Sequence, residues 1–188
     1  MTHSLVPPAD AYATVAYRAS TGAALWVKRY NGPANLADQA HAVAVSPTGT
    51  TVYVTGASDT VPGSTDNDYA TVAYAASTGA PVWVQRYNGP GNSDDEATTL
   101  AVNHTTGTVY VSGESARNAF SGGLDYATIA YRPSGVESSV ARYDGPGHGN
   151  DQGTAVAVSP TTGTVFVTGG SYGGTSKAQD YATVAYTG

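Results

Sequence analysis

The stretch DYATVAYAASTGAPVWVQR (residues 68–86) decides the fold, because close copies of it recur along the chain. The start Asp-Tyr-Ala-Thr occurs at Asp68, Asp125 and Asp180, and Tyr12 opens a further copy in which the aspartate, Asp10, stands one place early. The tyrosines of the four copies are 57, 57 and 55 residues apart: Tyr12, Tyr69, Tyr126 and Tyr181. A period of this length, built of short alternating segments, indicates a repeat architecture.

The composition favours β-structure. Only 12% of the 188 residues are charged, against a usual share of about 25%. The chain holds 14 tyrosines and 23 glycines, and small, β-branched and aromatic residues suit packed sheets. The sequence therefore predicts an all-β protein.

Charge and hydropathy exclude several partners. The net charge is -6 and the eight basic residues form no stripe, which argues against a nucleic-acid partner. No run approaches the roughly 18 apolar residues of a membrane span, so no membrane partner is expected. There is no cysteine, which excludes disulfides and thiolate chemistry. Residues 1–10 lack the basic start and apolar core of a signal peptide, so we expect either a cytoplasmic protein or a removed export signal.

Each repeat contains four strand-like segments. In YATVAY both faces are apolar or small, as expected for a strand that lies between two sheets. We interpret residues 1–10 as an N-terminal tail and residues 11–188 as one domain, with repeats 12–68, 69–125 and 126–180 and a last strand at 181–186. The connecting loops 58–67, 115–124 and 171–179 vary in length and sequence. The predicted strands are thirteen: 12–17, 25–30, 41–45, 51–55, 69–74, 82–87, 98–102, 108–112, 126–131, 138–143, 154–158, 164–168 and 181–186.

Four short antiparallel strands per unit, repeated, predict the blades of a β-propeller. A parallel β-helix is the alternative. Its coils are usually shorter and lack the run of hairpin turns seen here.

The repeat resembles a known family. The runs DYATVAY, TGxxxWVxRYNGPG and AVSPTxGTVxVTG are similar to the SBBP-type β-propeller repeat, and residues 43–56 (VAVSPTGTTVYVTG) resemble the YVTN-type repeat of surface-layer proteins. These resemblances imply a bacterial repeat protein, often secreted or at the cell surface, with no shared catalytic set. They also imply a blade order: HAVAV innermost, then TVYVT, then YATVAY, with LWVKRY outermost.

That order leaves the ring incomplete. The chain holds three blades' worth of strands and one more, whereas closed propellers have about four to eight blades. Either blades of a longer chain are missing, or two copies form a homo-oligomeric ring of about six blades that share a blade at each junction.

Charged residues recur once per repeat. Arg29, Arg86 and Arg142 precede a Tyr-(Asn/Asp)-Gly-Pro loop, and Asp38, Asp95 and Asp151 follow it. A feature present in every blade indicates scaffold, in which each aspartate accepts backbone N–H groups and each arginine clamps a strand. The alternative is calcium, with Asp94, Asp95, Asp38 and Asp151 as candidate ligands, although loop 88–96 lacks the alternating carboxylates of a calcium loop. Asp68, Asp125 and Asp180 are expected to cap the loop before each tyrosine.

The aromatic and histidine positions have two interpretations each. The repeated tyrosines are either core or a surface that stacks on sugars. Trp26 and Trp83 match each other and Ser139 takes their place in the third repeat, so they either pack an outer strand or mark a contact surface. The histidines show no zinc-ligand spacing: His3, His41, His104 and His148.

No nucleophile elbow, phosphate loop or dinucleotide fingerprint is present. The sequence therefore predicts a protein that is not an enzyme, without a cofactor, acting as a propeller scaffold or binding module. Two alternatives stay open: a carbohydrate-binding module, with or without calcium, and a fragment of a larger propeller enzyme.

Overall fold

A computed structural model describes residues 11–61, 66–118, 123–174 and 179–187. Within those ranges the chain forms thirteen strands and every strand pairing is antiparallel, which confirms the all-β prediction and excludes a parallel β-helix. The strands are β1 (Tyr12–Tyr17), β2 (Ala24–Tyr30), β3 (Asp38–Val45), β4 (Thr51–Asp59), β5 (Asn67–Ala75), β6 (Pro81–Tyr87), β7 (Asp95–Val102), β8 (Val109–Ala116), β9 (Leu124–Tyr131), β10 (Glu137–Tyr143), β11 (Gln152–Val158), β12 (Val165–Tyr172) and β13 (Gln179–Tyr186).

The strands form propeller blades in the expected order. Two blades are complete, with strand orders β3-β4-β5-β6 and β7-β8-β9-β10. Before them lies the two-stranded sheet β1-β2, and after them the three-stranded sheet β11-β12-β13. Each complete blade takes its first two strands from one repeat and its last two from the next, so the chain starts and ends on a third strand.

The first strand of each blade begins two or three residues earlier than predicted, because a bulge lets the strand continue. In the first complete blade the register shifts between Ala40 and Ala42. A Cβ on Gly56, in the facing strand, would lie 1.9 Å from the carbonyl oxygen of Gln39, so only glycine fits there. Gly113 and Gly169 stand in the same place in the next two blades.

The core lies between blades. Tyr53 and Tyr69 from the first complete blade pack in one buried cluster with Leu100, Val111 and Ile129 from the second. Smaller clusters join the other neighbouring sheets. Each blade is thus stabilised mainly by the next, as expected of a repeat protein.

At each end of the row of blades, an apolar face is left partly uncovered by the described strands. At one end, Val43 of β3 in the first complete blade is 64% exposed, although Leu100 at the matching place in β7 is 9% exposed. At the other end, Phe166 of the three-stranded sheet is 41% exposed, whereas the matching Tyr53 is buried. The described part of the chain has no helix long and apolar enough to cross a membrane. The predicted tail 1–10 lies outside the described residues, as do parts of the three variable loops.

Candidate functional site

Two of the three repeated arginines, Arg86 and Arg142, hold neighbouring blades together, whereas Arg29 is exposed. Arg86 on β6 donates to the Ser58 hydroxyl (2.5 Å), to Asp68 Oδ2 (3.1 Å) and to the Tyr30 hydroxyl of the preceding sheet (3.1 Å). Because strands of two sheets supply the partners, the guanidinium ties the blades to each other. Burial raises the pKa of Asp68, and the Arg86 charge opposes that rise.

The same cluster repeats one blade later. Arg142 donates to the Ser115 hydroxyl (2.6 Å), to Asp125 Oδ2 (3.2 Å) and to the Tyr87 hydroxyl (3.1 Å). Asp68 and Asp125 thus bind arginine, a partner that the sequence did not assign to them. The sequence does contain a signal for the serines of these clusters, because they recur at the repeat spacing: Ser58, Ser115 and Ser171.

The aspartates after the Gly-Pro loop sit beneath it. Asp95 is fully buried, and its Oδ2 accepts the amide N–H of Gly89 at 2.6 Å. Burial raises its pKa, while hydrogen bonds from Ser115 and Gly89 act in the opposite direction. Asp38 and Asp151 accept N–H groups from Gly32 and Gly145 in the same way, at 2.7 Å.

The calcium candidates do not gather in one place. Asp38, Asp95 and Asp151 lie under three successive loops, and Asp94 accepts from the side-chain amide of Asn67 at 3.2 Å. Calcium binding at these residues therefore stays a prediction.

The third Gly-Pro loop, which follows Tyr143, differs from the loops after Tyr30 and Tyr87. Carboxylate oxygens of Asp125, Asp144 and Asp151 lie within 4.8 Å of one another. Arg117 already neutralises two of them, with Nη2 2.7 Å from Asp125 Oδ1 and in contact with Asp144. His148 Nδ1 lies 2.7 Å from Asp144 Oδ2, where the earlier loops pair two asparagines. Two of the three carboxylates, Asp125 and Asp144, are thus held in contacts with Arg117 and His148.

The repeated tyrosines are core. Tyr12, Tyr69 and Tyr126 are buried, and each hydroxyl donates to a carbonyl of the next blade at 3.2–3.3 Å. Burial is the main cause of the raised pKa of all three, which for Tyr126 reaches about 12. Tyr181, the fourth member, is 84% exposed.

The tryptophans also bridge blades. Trp26 Nε1 donates to the Ala76 carbonyl (2.9 Å) and Trp83 Nε1 to the Pro133 carbonyl (3.0 Å), each in the next blade. The Trp83 ring packs between Tyr53 and Tyr131. Their role here is packing at the outer part of the blades.

The first strands carry side chains that do not repeat. His41 Nδ1 lies 2.9 Å from the Ala97 carbonyl of the next first strand, and 3.4 Å from Glu96 Oε1. Thr98, at the matching place in β7, donates to the Gly153 carbonyl of β11. His41 thus replaces a threonine in the contact between neighbouring first strands.

Glu114 is the most perturbed carboxyl in the described part of the chain. It lies directly opposite Glu96 in the pairing of β7 with β8. Burial first, and then the charges of Glu96 and Asp94, raise the pKa of Glu114 to about 7, while a hydrogen bond with Gln152 opposes the rise. The sequence repeat did not predict this pair, because the matching positions hold other residues in the other blades. They pair Gln39 with Ala57 and Gln152 with Gly170.

Comparisons with known proteins give a limited result. No protein-family model matches the chain, and no curated protein matches it. Among solved structures, the crystal structure of the tricorn protease matches with 14% sequence identity and a TM-score of 0.48, over 88% of this chain and 14% of that one. The chain therefore spans a small part of that protein, and the propeller assignment rests on the strand order described above.

Proposed function

We propose that this chain is a non-catalytic β-propeller module, of the SBBP or YVTN repeat type, that serves as a scaffold and binding surface. A second copy completes its ring. The recurring residues then belong to the scaffold, and the unlike residues of the first two strands of the blades contact the ligand.

The observation that carries the proposal is where the repeated polar groups lie. Arg86 and Arg142, with their serines, aspartates and tyrosines, are occupied by contacts between blades. Residues used in that way are not free to perform catalysis or to bind a ligand. The unlike residues are then the best candidates for a specific contact, since a site at one place in each copy needs features that do not recur in every blade.

Those unlike residues are acidic. Glu96 and Glu114 face each other in one blade only, with His41 beside Glu96. Carboxylates in a half-buried position favour a ligand that supplies cationic donors. A basic segment of a protein partner fits that chemistry.

Carbohydrate binding with calcium is the second candidate, and it has less support. A sugar-binding platform needs exposed aromatic faces. Tyr12, Tyr69 and Tyr126 are buried between blades, and of the repeated tyrosines only Tyr17 and Tyr181 present strongly exposed rings in the described part of the chain.

The test is a titration of the isotope-labelled chain followed by NMR. The probes are a Lys/Arg-rich peptide, an acidic peptide of equal length, and a panel of soluble oligosaccharides with and without calcium. The proposal predicts that the basic peptide alone shifts the amide signals of β7 and β8, and that Glu96→Gln weakens this binding. Saturable binding of an oligosaccharide in place of the peptide would favour the second candidate, and cleavage of any probe would contradict a non-catalytic role.

A further inference from the structure

One copy of the arginine cluster lacks its arginine. A Cβ placed on Gly32 or Gly89 would meet the guanidinium of Arg86 at 3.2 Å or of Arg142 at 3.3 Å. At Gly145 the three atoms nearest to such a Cβ are the Ser171 hydroxyl oxygen and the two carboxylate oxygens of Asp151. The sheet β11-β12-β13 has no fourth strand among the described residues, so no strand there supplies the matching arginine.

The other groups of this cluster are in place. Ser171 is 4% exposed, in the position of Ser58 and Ser115. Asp180 is exposed and has no ion pair within the described ranges, although the matching Asp68 and Asp125 each bind an arginine. The Tyr143 hydroxyl likewise receives no arginine there.

The complementary arginine stands at the other end of the chain. Arg29 on β2 occupies the register of Arg86 and Arg142, opposite Ala13 as they are opposite Ala70 and Ala127. Arg29 is exposed and has no carboxylate partner among the residues that the structure describes. The residue before Tyr12 is Ala11, where the other repeats have aspartate. Within the described ranges, one end of the fold thus has an arginine without a carboxylate partner, and the other end has an aspartate without an arginine partner.

We propose that β2 of a second copy pairs with β13 as the fourth strand of this sheet, and that Arg29 of the second copy binds Asp180 and Ser171. The inference rests on the ring closure proposed above and adds the strands and residues that form the junction. Two such junctions, related by a two-fold axis, close a ring of six blades.

In this junction β13 takes the place that β1 holds in the single chain. Both strands read YATVAY from Tyr12 or Tyr181, so both fit the same register against β2. Tyr181 would then be buried where Tyr12 now lies, against Tyr30 and the Ala70 carbonyl. Asp180 favours this exchange, because β13 carries an aspartate directly before its tyrosine, at the place where Ala11 precedes Tyr12.

The apolar faces agree with the same arrangement. A cleft of about 290 Å³ lies beside β1 and β3, lined by Ala13, Val15, Ala40 and Val43 among others. In the complete blades, the corresponding position beside the third strand is filled by the first two strands of the same blade, which pack against the next blade. If β11 and β12 of the second copy entered the cleft, Phe166 of that copy and Val43 of the first copy would both be covered. Thr154 of the second copy would then reach the Ala40 carbonyl of the first copy, as Thr98 reaches the Gly153 carbonyl within one chain. Burial of such faces is what drives blade association.

The experiment is a charge exchange measured by sedimentation of the full chain. Arg29→Asp and Asp180→Arg are made separately, and each should weaken self-association on the order of 100-fold, about tenfold for each of two junctions. An equimolar mixture of the two variants should recover the wild-type affinity, because both junctions of the mixed pair then join opposite charges. Arg18→Asp, which makes the same charge change on an exposed turn, should leave association unchanged.

The outcomes distinguish the proposed β2–β13 junction from ring closure by a second copy. If the wild type is dimeric but both charge variants associate as tightly as it does, the junction is wrong while ring closure survives. If the wild type is monomeric, both are wrong. Tyr181→Ala and Tyr12→Ala identify the exchanged strand: loss of the dimer with Tyr181→Ala supports β13, and loss with Tyr12→Ala alone would overturn the exchange.

Discussion

The Glu96–Glu114 pair makes stability depend on pH. Burial and two neighbouring carboxylates raise the pKa of Glu114 from its ordinary value of 4.5 to about 7. Between these values the folded chain keeps a proton that the unfolded chain releases, so the contribution of Glu114 to stability is fully present below about pH 4.5 and is lost as the pH rises toward 7. The variant Glu114→Gln, which carries no charge, should escape that loss.

The size of the effect follows from the pKa change. Each pKa unit corresponds to about 1.36 kcal/mol, which gives an upper bound of about 3.4 kcal/mol. Because Glu114 is only half-buried, solvent screening reduces this figure, and we expect about 1–2 kcal/mol. Glu114→Gln should therefore match the wild type near pH 4.5 and exceed its unfolding free energy by that amount near pH 8.

The assay is urea unfolding of both proteins at several pH values and at one protein concentration, since association also contributes to stability. Glu137→Gln, at an exposed glutamate of β10, serves as the control and should show no pH-dependent gain. A difference between Glu114→Gln and the wild type that stays constant with pH, or that becomes destabilising as the pH rises, would refute the reasoning.

Three further substitutions test the contacts between blades by urea unfolding. Arg142→Lys keeps the charge but loses the forked contacts with its serine, carboxylate and tyrosine partners, and should cost about 2 kcal/mol; a loss below about 0.5 kcal/mol would contradict the clamp. Tyr69→Phe removes a buried hydroxyl donor and should cost about 1 kcal/mol, whereas Tyr17→Phe, at an exposed ring, should be neutral. Gly113→Ala would place a Cβ 1.9 Å from a carbonyl oxygen and should cost more than about 3 kcal/mol, while at Gly170 the nearest atom is 3.6 Å away and Gly170→Ala should be tolerated.

The repeat made most of the fold predictable. The alternation in YATVAY and the regular turns located thirteen strands, and the strand order inside each blade agrees with the phase inferred from the resemblance. Strand starts were less predictable. Gly56 looks like the end of a strand in sequence, but in the structure it makes room for the bulge that carries β3 back to Asp38.

The candidate site was only partly predictable. Sequence spacing indicated that Arg86 and Asp95 belong to the scaffold, but it could not show that Asp68 and Ser58 complete the cluster, because their contacts cross between strands. The Glu96–Glu114 pair depends on the cross-strand register and on burial, neither of which a single sequence specifies.

The measurement that tests ring closure most directly is the solution mass of the wild-type chain by light scattering over about a hundredfold dilution. Closure by a second copy predicts twice the 19.0 kDa of one chain, constant with dilution. A mass of 19.0 kDa at every concentration, or a broad range of masses that grows with concentration, would contradict it.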